Sequence, residues 1–515
     1  MQLRFLGHAG VEIHHERARV VMDAWFSNEG AFDASWFQLP CNHHLAEADW
    51  SQVSAAIVSH EHLDHVDGAF LRGLGSRVPL FVPRYPSPAL VRQLHRASGR
   101  LATILDADVD HEHRGVRFRL WTEASPMNHD SVWAFVAGGR SFVHTVDSRL
   151  SSEQLHEVLE YCGGHVDALC VQCAGASWFP LSYENYDPAR KRAMSLKKRE
   201  HKLAYAKQVA DTLRPRWLVI NAGPPAFLDP ALRTANDDPS FPDPAQAKAW
   251  LREAGYEREI ITPLPGDRLD LVAQQLRPDP SAHQQFCWDR RHAYIEAYAE
   301  RMAPTIAAVY ARADSLAAED FPAQVDAHFG AMVRRNRYFL ERIDMDVLFD
   351  IEGPDGGQWL VRMRPDDPGV GRWDGQQAYQ YRYRFHSRWL KRIVLGGLHW
   401  EDFLLSVRFT AYRDPDVYND HLLGLLKLGH VRALEAVEHY ETGRADETIR
   451  VTAGDGTRYE IAKYCPHAGA SLEHAPIEGH RLTCLLHHYE FDLRTGECLS
   501  GNCRLRSRRL AQDED

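Results

Sequence analysis

Two short cysteine/histidine motifs near the carboxyl end of the chain carry the residues best suited to redox chemistry. Cys465-Pro466-His467 is followed by Cys484-Leu485-Leu486-His487. Two thiolates can bind one iron of a [2Fe–2S] cluster while two imidazoles bind the other, and imidazole ligation raises the reduction potential above that of all-cysteine clusters. The motifs therefore predict a one-electron carrier. A zinc knuckle would use the same residue types.

A second string rich in metal ligands lies near the amino end. The apolar residues Ala56-Ile57-Val58-Ser59 run into His60-Glu61-His62-Leu63-Asp64-His65. Imidazole and carboxylate groups are ligands for zinc and for non-haem iron. In this string His60 and His62 can project together, while Asp64 and His65 can reach a second, adjacent metal position. The string predicts a metal site at the end of a strand; histidines on a surface loop are the alternative.

The elements that position these residues follow from apolar patterning and turn residues. Strands are predicted at 3–5, 11–13, 20–22, 56–59, 142–145, 168–171 and 217–221, with a helix at 196–213. Pro278-Asp279-Pro280 closes this region. A mixed α+β region follows, with a helix at 290–315 and a hairpin formed by 345–351 and 359–363. The sequence thus predicts domains at 1–277, 278–442 and 443–515, the last a small all-β domain that contains the cysteine/histidine motifs.

Composition narrows the class of protein. The chain has 515 residues, 44% hydrophobic residues and a formal net charge of −11, so it is multidomain and lacks the basic excess of a nucleic-acid binder. No apolar run is long enough to span a bilayer, and the first residues resemble a strand rather than a signal peptide, which favours the cytoplasm. The buried-strand pattern around Cys170 and Cys173 favours packing over metal binding. Cys498 and Cys503 have no evident role.

The His60–His65 string resembles the metallo-β-lactamase superfamily, which implies an αββα sandwich. Asp23, after the third strand, corresponds to the first motif of that family. The resemblance implies two further metal ligands, His129 and the bridging Asp147, although Asn128 and Asp130 could replace His129. The last predicted strand is followed by Ala222-Gly223-Pro224-Pro225 and no histidine, so the chain departs from a full two-zinc hydrolase.

The two motifs together favour oxygenation over hydrolysis. A zinc hydrolase needs no electrons, whereas non-haem iron that activates O2 does. The sequence therefore predicts one or two irons in the first site and an external ferredoxin- or reductase-type donor. We assign catalytic roles to Asp64 and to His8, which is expected to lie beside the site. Electrons can pass within one chain or between the subunits of a homo-oligomer, and the sequence leaves both routes open.

Further segments narrow the resemblance. Ala174-Gly175-Ala176-Ser177-Trp178-Phe179-Pro180 and Asn221-Ala222-Gly223-Pro224-Pro225-Ala226-Phe227-Leu228 resemble the Rieske hydroxylases that convert the N-acetyl group of an activated sugar to N-glycolyl. That family includes CMP-N-acetylneuraminate hydroxylase and UDP-N-acetylmuramic acid hydroxylase, and the order and length of this chain favour the second. The resemblance implies a nucleotide sugar, a precursor of peptidoglycan, as substrate.

Candidate substrate-binding residues surround these segments. Basic residues cluster on the predicted helix, and Lys197 and Lys198 could hold a diphosphate; a solvated helix face is the alternative. Trp178, Tyr183 and Asn221 could contact the sugar or base, although aromatic residues near a strand end often belong to the core. Two other functions stay open: the same oxygenase chemistry on an amide or amine of secondary metabolism, and a metal hydrolase with a regulatory Rieske domain.

Overall fold

The structure is a computed structural model that describes residues 1–123, 125, 127–174, 177–443, 446–466, 471–484, 488–501 and 503–511. The described residues form three successive regions along the chain. Among them, no helix combines the length and the apolar character needed to cross a membrane.

The first region alternates strands with helices. Its elements in chain order are β1 (Gln2–Gly7), β2 (Gly10–His15), β3 (Ala18–Met22), β4 (Ala55–Ile57), α1 (Gly68–Gly73), β5 (Leu80–Pro83), α2 (Ala89–Ser98), β6 (Thr103–Leu105), β7 (His111–His113), β8 (Val116–Thr122), β9 (Ser131–Ala137), β10 (Arg140–His144), α3 (Ser152–Tyr161), β11 (Ala168–Gln172), α4 (Pro188–Leu213), β12 (Trp217–Asn221), α5 (Pro244–Glu253), β13 (Glu259–Ile261), β14 (Arg268–Asp270) and β15 (Gln275–Arg277).

These strands form two facing sheets. One has the order β15-β14-β1-β2-β3-β4-β5-β6 and the other the order β13-β12-β11-β10-β9-β8-β7. Apolar side chains of both sheets, among them Phe5 and Phe142, form one buried core. Helices α1 and α2 pack on the outer face of the first sheet, and α3, α4 and α5 pack on the outer face of the second. The predicted αββα sandwich is confirmed.

The parallel strand pairs of this sandwich bring polar residues to one edge. Strand β3 pairs in parallel with β4 in the first sheet, and β10, β11 and β12 are parallel neighbours in the second. Because parallel strands end on the same side, the residues that follow them can share a site. These residues are Asp23 after β3, Ser59 and His60 after β4, and Asp147 after β10.

Helix α4 begins earlier than the apolar pattern predicts. It starts at Pro188, whereas the sequence predicts a start at residue 196. The Asp187 side chain accepts a hydrogen bond from the Arg190 backbone N–H, and proline is favoured at the first helical position. The added turns are polar, so they carry no apolar periodicity to mark them.

The second region contains most of the remaining helices. Its elements are α6 (Pro280–Gln285), α7 (Arg291–Asp314), α8 (Phe321–Met332), α9 (Arg337–Ile343), β16 (Met345–Glu352), β17 (Gly357–Met363), β18 (Gly369–Arg372), β19 (Tyr381–His386), α10 (Ser387–Val394), α11 (Trp400–Leu405), β20 (Thr410–Arg413), α12 (Asp420–Leu428) and α13 (Val431–Gly443). The predicted hairpin is present as β16 and β17, in a sheet ordered β18-β17-β16-β19-β20.

This second region is joined to the first by backbone contacts. The Glu184 N–H donates to the Ala411 carbonyl oxygen, and the Ala411 N–H donates to that of Ser182, each at 2.8 Å. Residues of both regions also share one buried apolar cluster. The predicted boundary near residue 277 therefore does not separate two independent cores.

The third region is a small all-β domain. Its strands are β21 (Thr448–Thr452), β22 (Arg458–Ala462), β23 (Ile477–Glu478), β24 (Arg481–Thr483), β25 (Glu490–Asp492) and β26 (Ser507–Arg509). They form two three-stranded sheets, β21-β22-β26 and β23-β24-β25. Cys465 precedes one interval outside the described residues, 467–470, and Cys484 precedes another, 485–487.

Candidate metal centre

The histidine loop, residues 60–65, leaves the first sheet just after β4 and turns inward. Its backbone closes a tight turn in which the His65 N–H donates to the His62 carbonyl oxygen at 3.0 Å. His60, Asp64 and His65 are at most 3% exposed. Burial of this kind is incompatible with surface histidines, which removes the alternative left open by the sequence.

Two groups of potential ligands meet at this loop. Each group has three side chains whose ligand atoms all lie within 4.8 Å of one another. The first ligand group is His8, Asp64 and His65, and the second ligand group is His60, His62 and Asp147. The groups adjoin, because His65 Nε2 lies 3.8 Å from Asp147 Oδ1 and the His60 and His65 rings are 4.1 Å apart. The arrangement matches two neighbouring cation positions.

The unpaired atoms of these residues fit a bound cation. Within the described part of the chain, buried His65 Nε2 and Asp64 Oδ1 have no hydrogen-bond partner. Buried polar atoms are normally paired, so two unpaired acceptor atoms among these side chains fit the coordination of a cation. Imidazole and carboxylate donors suit either non-haem iron or zinc.

Asp23 and Ser59 fix the orientation of His65. The Asp23 carboxylate accepts from the Ser59 backbone N–H at 2.8 Å and from the Ser59 hydroxyl at 2.6 Å. Its Oδ2 lies 3.0 Å from His65 Nδ1. A proton on Nδ1 donated to this carboxylate leaves Nε2 as the ligand atom, which is the usual way in which proteins orient a metal-binding histidine.

His8, which the sequence places beside the site, is a member of the first ligand group. It occupies the turn between β1 and β2 with a φ of +48°, and its Nε2 lies 2.8 Å from Asp64 Oδ2. The edge of its ring meets Trp25 at 5.2 Å. His8 therefore either contributes a ligand atom or shares a proton with Asp64.

Asn221 ends β12, where the metallo-β-lactamase superfamily would lead into a histidine. Its side-chain amide nitrogen lies 3.1 Å from His144 Nε2. With His8 it lines a cavity of about 30 Å³, which has room for about one water molecule and not for a sugar. The structure thus places Asn221 next to the site, at the wall of this small cavity.

Glu401 and Lys427, which the sequence analysis missed, reach the metal centre from the second region. Glu401 Oε1 lies 3.1 Å from His62 Nε2 and 3.0 Å from Lys427 Nζ. Glu401 is 6% exposed, on the short helix α11. Neither residue stands in a recognisable motif, and more than three hundred residues separate Glu401 from His62. Only the tertiary fold brings them together.

His129 takes a different position from the ligand groups. Its Nδ1 lies 2.9 Å from Glu61 Oε1, and its ring stacks on Tyr85 with centroids 5.1 Å apart. It belongs to neither ligand group found among the described residues. The neighbouring Asp130 is nearer, with Oδ1 3.4 Å from His60 Nδ1. Of the alternatives left open by the sequence, Asp130 contacts a ligand-group residue directly.

Burial and neighbouring charges shift the pKa values of side chains in the metal centre. Burial lowers the pKa of His62, but Glu401 outweighs it and raises the value to about 9. Burial likewise lowers the pKa of His65, but Asp64 and Asp23 raise it to about 10. Burial and the Asp147 charge raise the pKa of Asp130 to about 8. Without a cation, the centre therefore holds protons that a metal ion must displace.

The other candidate substrate-binding residues differ in how deeply they are buried and in what they contact. Tyr183 is fully buried and its hydroxyl bonds to that of Tyr381, so it is a core residue and not a substrate contact. Trp178 is partly buried, and its Nε1 lacks a hydrogen-bond partner among the described residues. Lys197 is exposed, whereas Lys198 donates to the Phe179 carbonyl oxygen, and burial lowers its pKa to about 7.

The carboxyl-terminal domain presents the two predicted thiolate ligands. Cys465 is 2% exposed and Cys484 is not exposed. All nine cysteines lie in the described part of the chain, and they form no disulfide. Both thiols are thus buried, and neither is in a disulfide. The two predicted imidazole ligands, His467 and His487, lie outside the described residues.

Cys170 and Cys173 are both buried, in agreement with the predicted packing role. Burial raises the pKa of Cys170 and raises that of Cys173 to about 12, so neither thiol ionises readily.

Comparison with known proteins assigns both ends of the chain. Residues 425–508 match the Rieske [2Fe-2S] domain, and residues 18–187 match the beta-lactamase superfamily domain. A Rieske 2Fe-2S iron-sulfur protein of Mycolicibacterium smegmatis is 30% identical over 97% of this chain and 98% of its own length. The cytidine monophosphate-N-acetylneuraminic acid hydroxylase of Danio rerio is 24% identical over 81% of this chain and 70% of its own length.

A solved structure gives a weaker likeness. CmlA, a diiron beta-hydroxylase from Streptomyces venezuelae, is 16% identical over 51% of this chain and 52% of its own, with a TM-score of 0.36. The match to the Rieske domain shows that this end of the chain carries a [2Fe–2S] cluster, and the matched range includes the buried Cys465 and Cys484. The chain therefore belongs to the family of Rieske 2Fe-2S iron–sulfur proteins, and its cluster domain follows a metallo-β-lactamase-fold domain in the same polypeptide.

Proposed function

We propose that this chain is an O2-dependent hydroxylase in which the Rieske cluster supplies electrons to non-haem iron held by the two ligand groups. The observation that carries the proposal is the presence of a one-electron carrier and two adjoining His/Asp ligand groups in one chain. A hydrolytic metal centre polarises water and has no use for electrons. The relative from Danio rerio is named as a hydroxylase.

The proposed substrate is a nucleotide sugar that carries an N-acetyl group, most favourably UDP-N-acetylmuramic acid. The reaction converts the acetyl methyl group to hydroxymethyl. It consumes O2, two electrons and two protons, inserts one oxygen atom into a C–H bond and releases the other as water. Electrons come singly from an external ferredoxin- or reductase-type donor through the cluster.

The side chains around the ligand groups have distinct parts in this proposal. Iron bound there would supply the activation of O2. Asp23 keeps the His65 proton on Nδ1, and Glu401, neutralised by Lys427, orients His62. His8 can hold a proton at Nε2 next to Asp64, within reach of proton transfer. The indole N–H of Trp178, which has no hydrogen-bond partner among the described residues, is one candidate for a substrate contact.

Aerobic incubation with reductant and a panel of UDP- and CMP-linked N-acetyl sugars tests the proposal. Mass spectrometry should find one added oxygen atom on the acyl group of one of these sugars, and a fragment ion should place it there. Metal analysis should find iron beyond the cluster's two atoms per chain. Stoichiometric zinc in the metal centre, with no oxidised product from any sugar, would contradict the proposal.

A further inference from the structure

The cluster domain packs on the first domain of its own chain. Leu472 and Leu482 of the cluster domain and Leu203 of α4 belong to one continuous buried apolar cluster, which also includes Cys484. The Tyr489 hydroxyl lies 3.3 Å from Asp420 at the start of α12. The cluster domain is therefore fixed within one chain by apolar contacts with α4 and by a polar contact with α12.

A pair of stacked imidazoles bridges the two domains. The rings of His488 and His201 have centroids 4.2 Å apart and are inclined by 25°. His488 directly follows His487, the second imidazole ligand of the cluster motif, and His201 lies on α4. His488 has a φ of +56°, which side-chain-bearing residues rarely adopt. The backbone after the ligand is thus held in an uncommon conformation that presents this ring to α4.

Side-chain contacts continue from His201 to the metal centre. The next residue, Lys202, donates from Nζ to Gln172 Oε1 at the end of β11. Gln172 Nε2 then donates to Asp147 Oδ1 at 2.7 Å. Asp147 belongs to the second ligand group. One ring stack, one peptide unit and two hydrogen bonds therefore link the residue next to the cluster with a candidate iron ligand.

We propose that the His488–His201 stack carries electrons from the cluster into the metal centre of the same chain, through Lys202 and Gln172 to Asp147. The inference rests on the proposed function and selects the within-chain route from the two that the sequence leaves open. In each transfer the reduced cluster loses one electron and returns to its all-ferric state. A ferric ion in the metal centre gains that electron and becomes ferrous, and a ferredoxin-class donor reduces the cluster again.

Flash reduction measures this transfer without turnover or substrate. Under anaerobic conditions, a photoreduced deazaflavin delivers one electron to the cluster of the ferric holoprotein, and the cluster's visible band reports its reoxidation. In the unaltered chain the reduced cluster should decay rapidly, and in His62→Ala, which disables the metal centre, it should persist. A reduced cluster that persists in the unaltered chain would count against both the proposed function and the route.

Variants of His201 then test the route alone. His201→Ala should slow reoxidation by about tenfold or more, in the range of losses seen when groups just outside metal ligands are removed. His201→Phe keeps a stacked ring and should stay close to the unaltered rate. His156→Ala, which removes an exposed histidine of α3, is the matched control. The cluster's absorption and EPR spectra should be unchanged in all three. A normal rate in His201→Ala would overturn the route while leaving the proposed function intact.

Mixed chains distinguish transfer within a chain from transfer between subunits. Cys465→Ala lacks a cluster ligand and His62→Ala lacks a metal-centre ligand, and the two variants can be co-expressed with different tags and purified through both. Within-chain transfer predicts no fast cluster reoxidation in the mixed preparation. Restored reoxidation would show that electrons cross between subunits and would overturn the proposal.

Discussion

The two metal-binding regions of this chain are built in opposite ways. The metal centre lies where two large sheets bring their strand ends together. Its ligand candidates are buried or half-buried, and further side chains such as Asp23 and Ser59 hold His65 in place. The cluster belongs to a small domain whose two sheets have three strands each. Its buried thiols lie in an apolar cluster shared with α4.

This difference fits a division between chemistry and electron supply. A centre that binds O2 needs ligands fixed by several elements, so that the geometry survives each cycle. A one-electron carrier changes its charge and little else, so a small domain suffices, provided that the domain stays docked. The metal centre should therefore be sensitive to side chains outside its ligands, and the cluster domain chiefly to its own ligands and its contact with α4.

Loss of a cluster ligand should have the largest effect. Cys465→Ala should reduce product to background, because no other group in the proposal delivers electrons, while the metal content of the first site and the thermal unfolding of the first domain stay unchanged. The visible spectrum measures the cluster, and mass spectrometry measures the product. The reverse variant, His62→Ala, should keep the cluster spectrum and lose the product. Product formation in either variant would contradict the assignment of chemistry to the metal centre and of electron supply to the cluster.

Loss of Glu401 should have the next largest effect. Glu401→Gln removes the charge that faces both His62 and Lys427, so activity or iron affinity should fall by about 10- to 100-fold. Glu435→Gln, on the half-solvated α13, is a matched control that should behave as the unaltered chain. Iron content and initial rates distinguish weaker binding from slower turnover. An unchanged Glu401→Gln variant would show that the second region only packs against the metal centre.

Metal loading should depend on pH in the first domain more than in the cluster domain. The pKa values of about 9 for His62 and about 10 for His65 mean that both imidazoles are protonated at pH 7 before a metal binds. Loading displaces these protons, so the apparent affinity should rise with pH, by about tenfold per pH unit for each proton displaced. Titration of the metal-free first site in weak buffer with a pH indicator measures the release. An apparent metal affinity that does not change between pH 6 and 8 would contradict these protonation states.

The smallest effect is expected at Tyr183, where the structure replaces a predicted substrate contact with a core contact. Tyr183→Phe removes the buried hydroxyl pair with Tyr381, so the free energy of unfolding should fall by about 1 kcal/mol. The KM for the nucleotide sugar should not change. Chemical denaturation and initial-rate kinetics measure the two quantities. A raised KM with unchanged stability would return Tyr183 to the substrate site.

The sequence predicts those parts of the metal centre that depend on local order. His60, His62, Asp64 and His65 lie within one loop after an apolar strand, and this short segment brings its own ligands together. Asp147 follows a strand whose apolar pattern is clear, and the resemblance to a known superfamily supplies its role. The same reasoning predicts the sandwich, because alternating strands and helices restrict how the sheets can stack.

The parts that the sequence does not predict depend on packing between distant segments. Glu401 lies on a six-residue helix with no metal motif, and nothing in its neighbours indicates that it faces His62. Tyr183 looks the same in sequence whether it contacts a sugar or another tyrosine. The stacking of His201 on His488 depends on how two domains dock. Each of these depends on distances that no local pattern encodes.

The approach of Glu401 and Lys427 to His62 has a consequence for engineering. Residues 1–277, cut at the apparent boundary, would carry the whole histidine loop but would lose the carboxylate and ammonium groups that complete its surroundings. A transplanted or minimised version of this catalyst has to include α11 and α12, whatever cluster domain is attached. The smallest fragment that keeps the complete metal centre must therefore extend to Lys427, well past the last strand of the sandwich.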